Sequence, residues 1–96
     1  MKFAVITMKN GMPNYAVSDV NPVKHPFNED DTLFVVTKCI GGQLSEHWFT
    51  TSQVDAETAF FDMIGDKELS HEDTETMIAE WEDTLGKIRV EYKQIA

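Results

Sequence analysis

Apolar and polar positions alternate toward both ends of the chain and recur at spacings of three and four through its later middle. Residues 2–8 (Lys-Phe-Ala-Val-Ile-Thr-Met) read as a strand, and Asn10-Gly11 follows with two residues that accept the positive φ angles of a tight hairpin. Pro13 has no N–H for a ladder bond, so the return strand is expected from about Asn14 through Tyr15, Val17 and Asp19 to Val20. Asn21-Pro22 breaks it, and 22–31, with two prolines, His25 and the run Glu29-Asp30-Asp31, reads as an irregular loop.

Residues 32–40 (Thr-Leu-Phe-Val-Val-Thr-Lys-Cys-Ile) carry apolar side chains on both faces, the pattern of a strand covered on two sides. Gly41-Gly42 then turns the chain into 43–50, and a two-residue turn sets Val35 opposite Trp48 and Phe34 opposite Phe49. At the far end, 87–95 alternates strictly: Ile88, Val90 and Tyr92 on one face, Lys87, Arg89, Glu91 and Lys93 on a face expected to be wet.

Between these strands the spacing predicts two helices. The first runs from about Ser52 to Ile64, with Ser52 and Asp55 at its start, Ala56, Phe60, Met63 and Ile64 inward, Phe61 beside that stripe, and Gly65 at its end. The second runs from about Ser70 to Leu85. Ser70 and Asp73 resemble a helix start, Thr74, Met77, Ile78, Trp81 and Leu85 form one stripe at about 100° per residue, and Gly86 suits a terminator. The order is then ββββααβ: an α+β fold in which an antiparallel sheet of about five strands has both helices on one face. Ninety-six residues with 42% hydrophobic content suit one domain spanning 1–96.

Charge adds what periodicity cannot. Residues 41–86 hold twelve acids against one base, Lys67, a net of −11, whereas 1–40 is balanced and 87–96 is +2, giving −9 in all. On the helical reading Glu72, Asp73, Glu75, Glu80, Glu82 and Asp83 occupy the outer arc of the second helix, with Asp55, Glu57, Asp62, Asp66 and Glu68 on and after the first. Six carboxylates over about 25 Å of helix approach the phosphate density of one DNA strand, about one per 3.4 Å. A surface built only for solubility intersperses lysines, and this one does not.

Other chemistry is poorly represented. No two of His25, His47, His71 and Cys39 share the short spacing of a zinc site, and Glu29, Asp30 and Asp31 lack the spaced oxygens, glycine and distal glutamate of a helix-loop-helix calcium site. No nucleophile elbow or phosphate loop is present, so no enzyme, metal or cofactor is expected. The lone Cys39 sits in an apolar run and reads as a buried thiol in a reducing, cytoplasmic setting, and no apolar run is long enough to span a membrane. Trp48 and Trp81 both fall on predicted apolar faces and read as core, an exposed interface anchor being the alternative.

The acids therefore carry the functional expectation. In size and acidity the chain resembles the anti-restriction and anti-CRISPR proteins of phages and other mobile elements, which implies a small inhibitor that mimics nucleic acid and blocks a basic nucleic-acid-binding protein or nuclease complex. The chain itself, at −9, repels phosphate and is not expected to bind nucleic acid directly. An immunity or antitoxin protein against a basic nuclease toxin shares the same physics, and a structural or regulatory module using its sheet is the third reading. The expected working surface is the eleven acids named above, with Glu29, Asp30 and Asp31 secondary, on a monomer or homodimer.

Overall fold

The computed structural model describes residues 2–18, 25–28 and 30–95. Among them the chain forms eight strands and one helix: β1 (Lys2–Lys9), β2 (Met12–Ser18), β3 (His25–Phe27), β4 (Phe34–Ile40), β5 (Gln43–Thr50), α1 (Gln53–Ile64), β6 (His71–Glu72), β7 (Thr76–Asp83) and β8 (Gly86–Gln94). The strands make two antiparallel sheets, a small one in the order β2-β1-β3 and a large one in the order β5-β4-β8-β7-β6. The ββββααβ order and the two-helix cover are thus overturned; the protein is mostly β.

The hairpin signals hold. Asn10 and Gly11 stand at φ 54° and 77° between β1 and β2, and Gly41 and Gly42 at 59° and 82° between β4 and β5, left-handed pairs that match the twist of the flanking strands. The two tips also touch, since a Cβ placed on Gly42 would lie 3.4 Å from the Gly11 Cα. Pro13, however, lies inside β2, opposite Met8, where an edge strand can tolerate its missing N–H. Part of the expected loop 22–31 is β3, which pairs with β1 through Pro26 and Phe27. Asp19, Val20, the first residues of that loop and Glu29 lie outside the described residues.

The turn at Gly41-Gly42 gives the expected register only for two pairs, Ile40 with Gln43 and Cys39 with Leu44. Ser45 is then an extra residue, and beyond this bulge Val35 faces Phe49 and Val36 faces Trp48. Trp48 is 42% exposed, so its core assignment fails, while Trp81 is half-buried against the core.

Helix α1 forms as its sequence demands. The Ser52 hydroxyl accepts the Asp55 N–H, Gly65 closes the helix with its N–H on the Phe61 carbonyl, and Ala56, Phe60 and Ile64 are buried. These side chains pack on one face of the large sheet, against Phe34 and Val36 of β4, Met77 and Ala79 of β7, and Ile88, Val90 and Tyr92 of β8.

The second helix does not exist. Its residues form β6, a turn, and β7, which pairs along its whole length with β8. Met77, Ala79 and Trp81 alternate inward toward α1, whereas Thr74 is exposed and Leu85, 65% exposed, sits on the β7–β8 tip. Asp83 begins that tip and accepts the Leu85 N–H, and Gly86, at φ 111°, ends it.

Strand β8 is the middle of the large sheet, and the face expected to be wet is largely covered, with Glu91 buried and Arg89 and Lys93 half-buried. The small sheet lies over the side away from α1, joined there by a second cluster of Ala4, Phe27 and Leu33 with Phe49 and Ile95 beside it. Glu91 and Thr37 are buried on that side, and Tyr15 of β2 reaches Thr37 at 3.0 Å between hydroxyl oxygens. Sheet, sheet and helix stack as three layers with the large sheet in the centre.

Candidate functional site

The strand geometry redistributes the eleven acids. Asp55, Glu57 and Asp62 stay on α1, and Asp66 and Glu68 follow it. Glu72 is on the edge strand β6, and Asp73 and Glu75 are in the turn to β7. On β7, Glu80 and Glu82 alternate with the inward residues and so point away from α1, and Asp83 ends the strand. The regular row of six carboxylates on one helix face is therefore absent.

Three of those six have structural duties. The Asp73 carboxylate accepts the N–H groups of Glu75 and Thr76, both at 2.8 Å, and bonds the His71 ring at 2.9 Å. Its pKa is held below the usual carboxylate value, first by the Glu75 N–H and then by His71. Asp83 holds the β7–β8 turn, and Glu80 pairs with Arg89 at 3.2 Å. Of the secondary residues, Asp30 is exposed, Asp31 is half-buried with its N–H on the Asn28 carbonyl, and Glu29 lies outside the described residues.

What remains together is the acidic run on α1 and just beyond it. From 53 to 75 the chain carries eight acids against Lys67 alone, a net of −7. Val54, Thr58 and Phe61, spaced four and three, form the outward stripe of the helix. Val54 is 70% exposed and Phe61 46%, both unusual for large apolar side chains on a helix whose other face is fully packed. The Phe61 ring meets Phe60 edge-to-face at 5.3 Å, so the buried neighbour fixes the exposed one. Asp55 and Asp62, seven residues apart, flank this stripe on one side and Glu57 on the other, and Asp66, its side chain 97% exposed, lies just past the helix end. The carboxylate of Glu57 also acts on Tyr92, whose phenol is pushed up by burial first and by that charge second.

Sequence reasoning locates the acids here and misses the exposed apolar pair. Phe61 lies about 100° around the helix from Phe60, and beside the broad inward stripe it was indistinguishable from a core residue. The signal was Val54 with Phe61 at i and i+7: an apolar pair on the side where an exposed helix ordinarily carries polar residues.

The opposite side of the large sheet holds a second polar assembly. Arg89 spans Glu80 and the buried Glu91, its Nη2 donating to Glu91 at 2.9 Å, while its buried Nε has no partner among the described residues. Burial works against that guanidinium's charge, but the bond to Glu91 and the charges of Glu91 and Glu80 outweigh it and raise its pKa. Cys39 is buried beside this group, and burial pushes its thiol pKa up. Among the described residues no three His, Cys, Asp or Glu side chains are grouped to hold a metal ion, and no helix is long and apolar enough to cross a membrane. Comparison with known family models, curated proteins and solved structures finds no match to this chain.

Proposed function

We propose that the protein is a binding inhibitor that docks the outer face of α1 into the cationic groove of a nucleic-acid-handling protein. The observation that carries this reading is the exposed Val54/Phe61 stripe flanked by Asp55, Asp62 and Glu57, on a segment with one base among nine charges. An aromatic anchor inside a charged rim is how a few residues concentrate binding energy, and carboxylates placed around it meet the lysines and arginines that otherwise hold phosphate. The anchor supplies affinity where regular phosphate-like spacing is lacking. A −9 chain approaching a basic groove is also steered by long-range attraction.

The test compares wild type with Phe61→Ala and with Asp62→Lys/Asp66→Lys as bait for host proteins, the captured proteins then being assayed for displacement from DNA or RNA. Basic nucleic-acid-binding proteins should be captured and should release nucleic acid. Phe61→Ala should weaken the complex by about 2 kcal/mol, about thirtyfold in Kd. Capture that survives all three substitutions removes α1 from the mechanism.

A further inference from the structure

Of the four strands that end the two sheets, three are blunted against pairing with another chain. β2 holds Pro13, β3 is three residues long with Pro26 at its centre, and β6 is two residues long. The fourth, β5, is eight residues long without proline, and among the described residues no strand pairs with its outer side. Its one formal charge, Glu46, stands opposite Lys38 of β4, so this edge is locally neutral in a chain of −9. The strand also projects beyond both covering layers. Glu46 and Trp48 share the α1 side with Val36, and His47 shares the small-sheet side with Thr37, yet all three are exposed, Trp48 by 42%. No β5 residue belongs to the cluster under α1.

The order of residues on β5 fits a second copy of itself. When two identical strands pair antiparallel about a two-fold axis through the sheet, residues opposite each other lie on the same face. The bulge at Ser45 ends the regular alternation, which leaves 46–50 as the straight run with Trp48 at its centre. A two-fold at Trp48 pairs all five residues: Trp48 meets its own copy, His47 meets Phe49, and Glu46 meets Thr50. His47 and Phe49 already touch edge-to-face within one strand, their ring centroids 5.9 Å apart, so the pairing extends an aromatic row. The two Glu46 side chains stay four residues apart along the strand, about 13 Å, beyond the screening length of about 8 Å at physiological salt. A two-fold at Glu46 would instead set the acids face to face.

We propose that two copies of this chain join β5 to β5 with Trp48 at the two-fold axis, merging their large sheets into one and setting both α1 helices on the same side of it. Five residue pairs bury less than the roughly 1,200 Å² of a standard interface, so the dimer exchanges with monomer at a Kd of about 100 μM. Each copy carries −9, so salt that screens this repulsion tightens the dimer, the reverse of its effect on a complex between the α1 acids and a basic partner. Sedimentation equilibrium of the full chain from about 10 μM to about 1 mM should show the dimer forming, with Kd about threefold lower in 0.5 M than in 0.1 M sodium chloride. Trp48→Lys and Trp48→Glu, at an exposed position, should keep the wild-type melting profile and each weaken the dimer more than about tenfold, because two like charges meet at the axis; an equimolar mixture of the two should associate again. A wild-type chain monomeric throughout that range in both salts, a dimer that survives Trp48→Lys, a mixture that stays monomeric, or a dimer lost in Phe61→Ala overturns the proposal.

Discussion

Thr37 lies in the middle of β4 with no exposure at all, and the hydroxyl that answers it belongs to Tyr15, twenty-two residues away on the small sheet. Tyr15→Phe removes that partner and leaves a buried hydroxyl unsatisfied, so unfolding in urea should show a loss of about 1–3 kcal/mol. Thr37→Val in the Tyr15→Phe background should recover part of the loss, because both ends of the bond are then apolar. Burial, followed by the charge of Glu91, raises the Tyr15 pKa, and burial raises that of Tyr92. A phenol whose folded pKa lies above its ordinary value near 10 contributes stability below that pH and loses it as pH rises. These are the chain's two tyrosines, so phenolate absorbance should emerge in alkali together with unfolding instead of before it. Asp73 has the opposite sign: its lowered pKa contributes stability above about pH 4 that disappears as pH falls through the folded value. Amide protection at Glu75 and Thr76 should weaken in that acid range, and in Asp73→Ala at every pH.

At the scale of elements, the chain announces its turns and its first helix plainly because those signals are local. Asn10-Gly11, Gly41-Gly42 and the Ser52–Gly65 frame need no distant partner to be read, and the Tyr15–Thr37 contact that joins the sheets cannot be read without one. Residues 70–85 failed for a specific reason. Met77, Ile78, Trp81 and Leu85 fit a helical stripe, yet Met77, Ala79 and Trp81 fit a strand equally well, and a residue as small as Ala79 adds little to an apolar pattern. What decides is β8, whose Arg89 and Lys87 stand opposite Glu80 and Glu82, and the Asp83 and Gly86 ends of a tight turn. The two geometries predict opposite mutational results. Ala79 would face solvent on a helix but is wholly buried on β7, so Ala79→Glu should cost more than about 3 kcal/mol by burying an unpaired charge in a filled core. Leu85 would be core on the helix but is exposed on the tip, so Leu85→Glu should stay within about 0.5 kcal/mol of wild type in the same denaturation assay.

At the scale of the molecule, the acids fall into sets that a single charge total conceals: one set around the α1 stripe, one along the β6 edge, and one across the large sheet from the helix. Net charge and local docking can therefore be separated with two variants of equal total charge. Asp62→Lys/Asp66→Lys alters the rim beside Phe61, and Asp30→Lys/Glu72→Lys alters exposed positions off the helix; each takes the chain from −9 to −5. Both should slow association with a basic partner, since steering responds to the whole field and is screened within about 8 Å at physiological salt. Only the first should speed dissociation, because only its lysines meet the partner's cations at contact. Neither should harm folding: Asp62 lies in the last turn of α1, where a cation suits the helix dipole and no base now stands. Surface plasmon resonance at several salt concentrations resolves the two rates. Equal dissociation from both variants would mean that the charge acts as a diffuse field and that the Val54/Phe61 face is not where the partner sits.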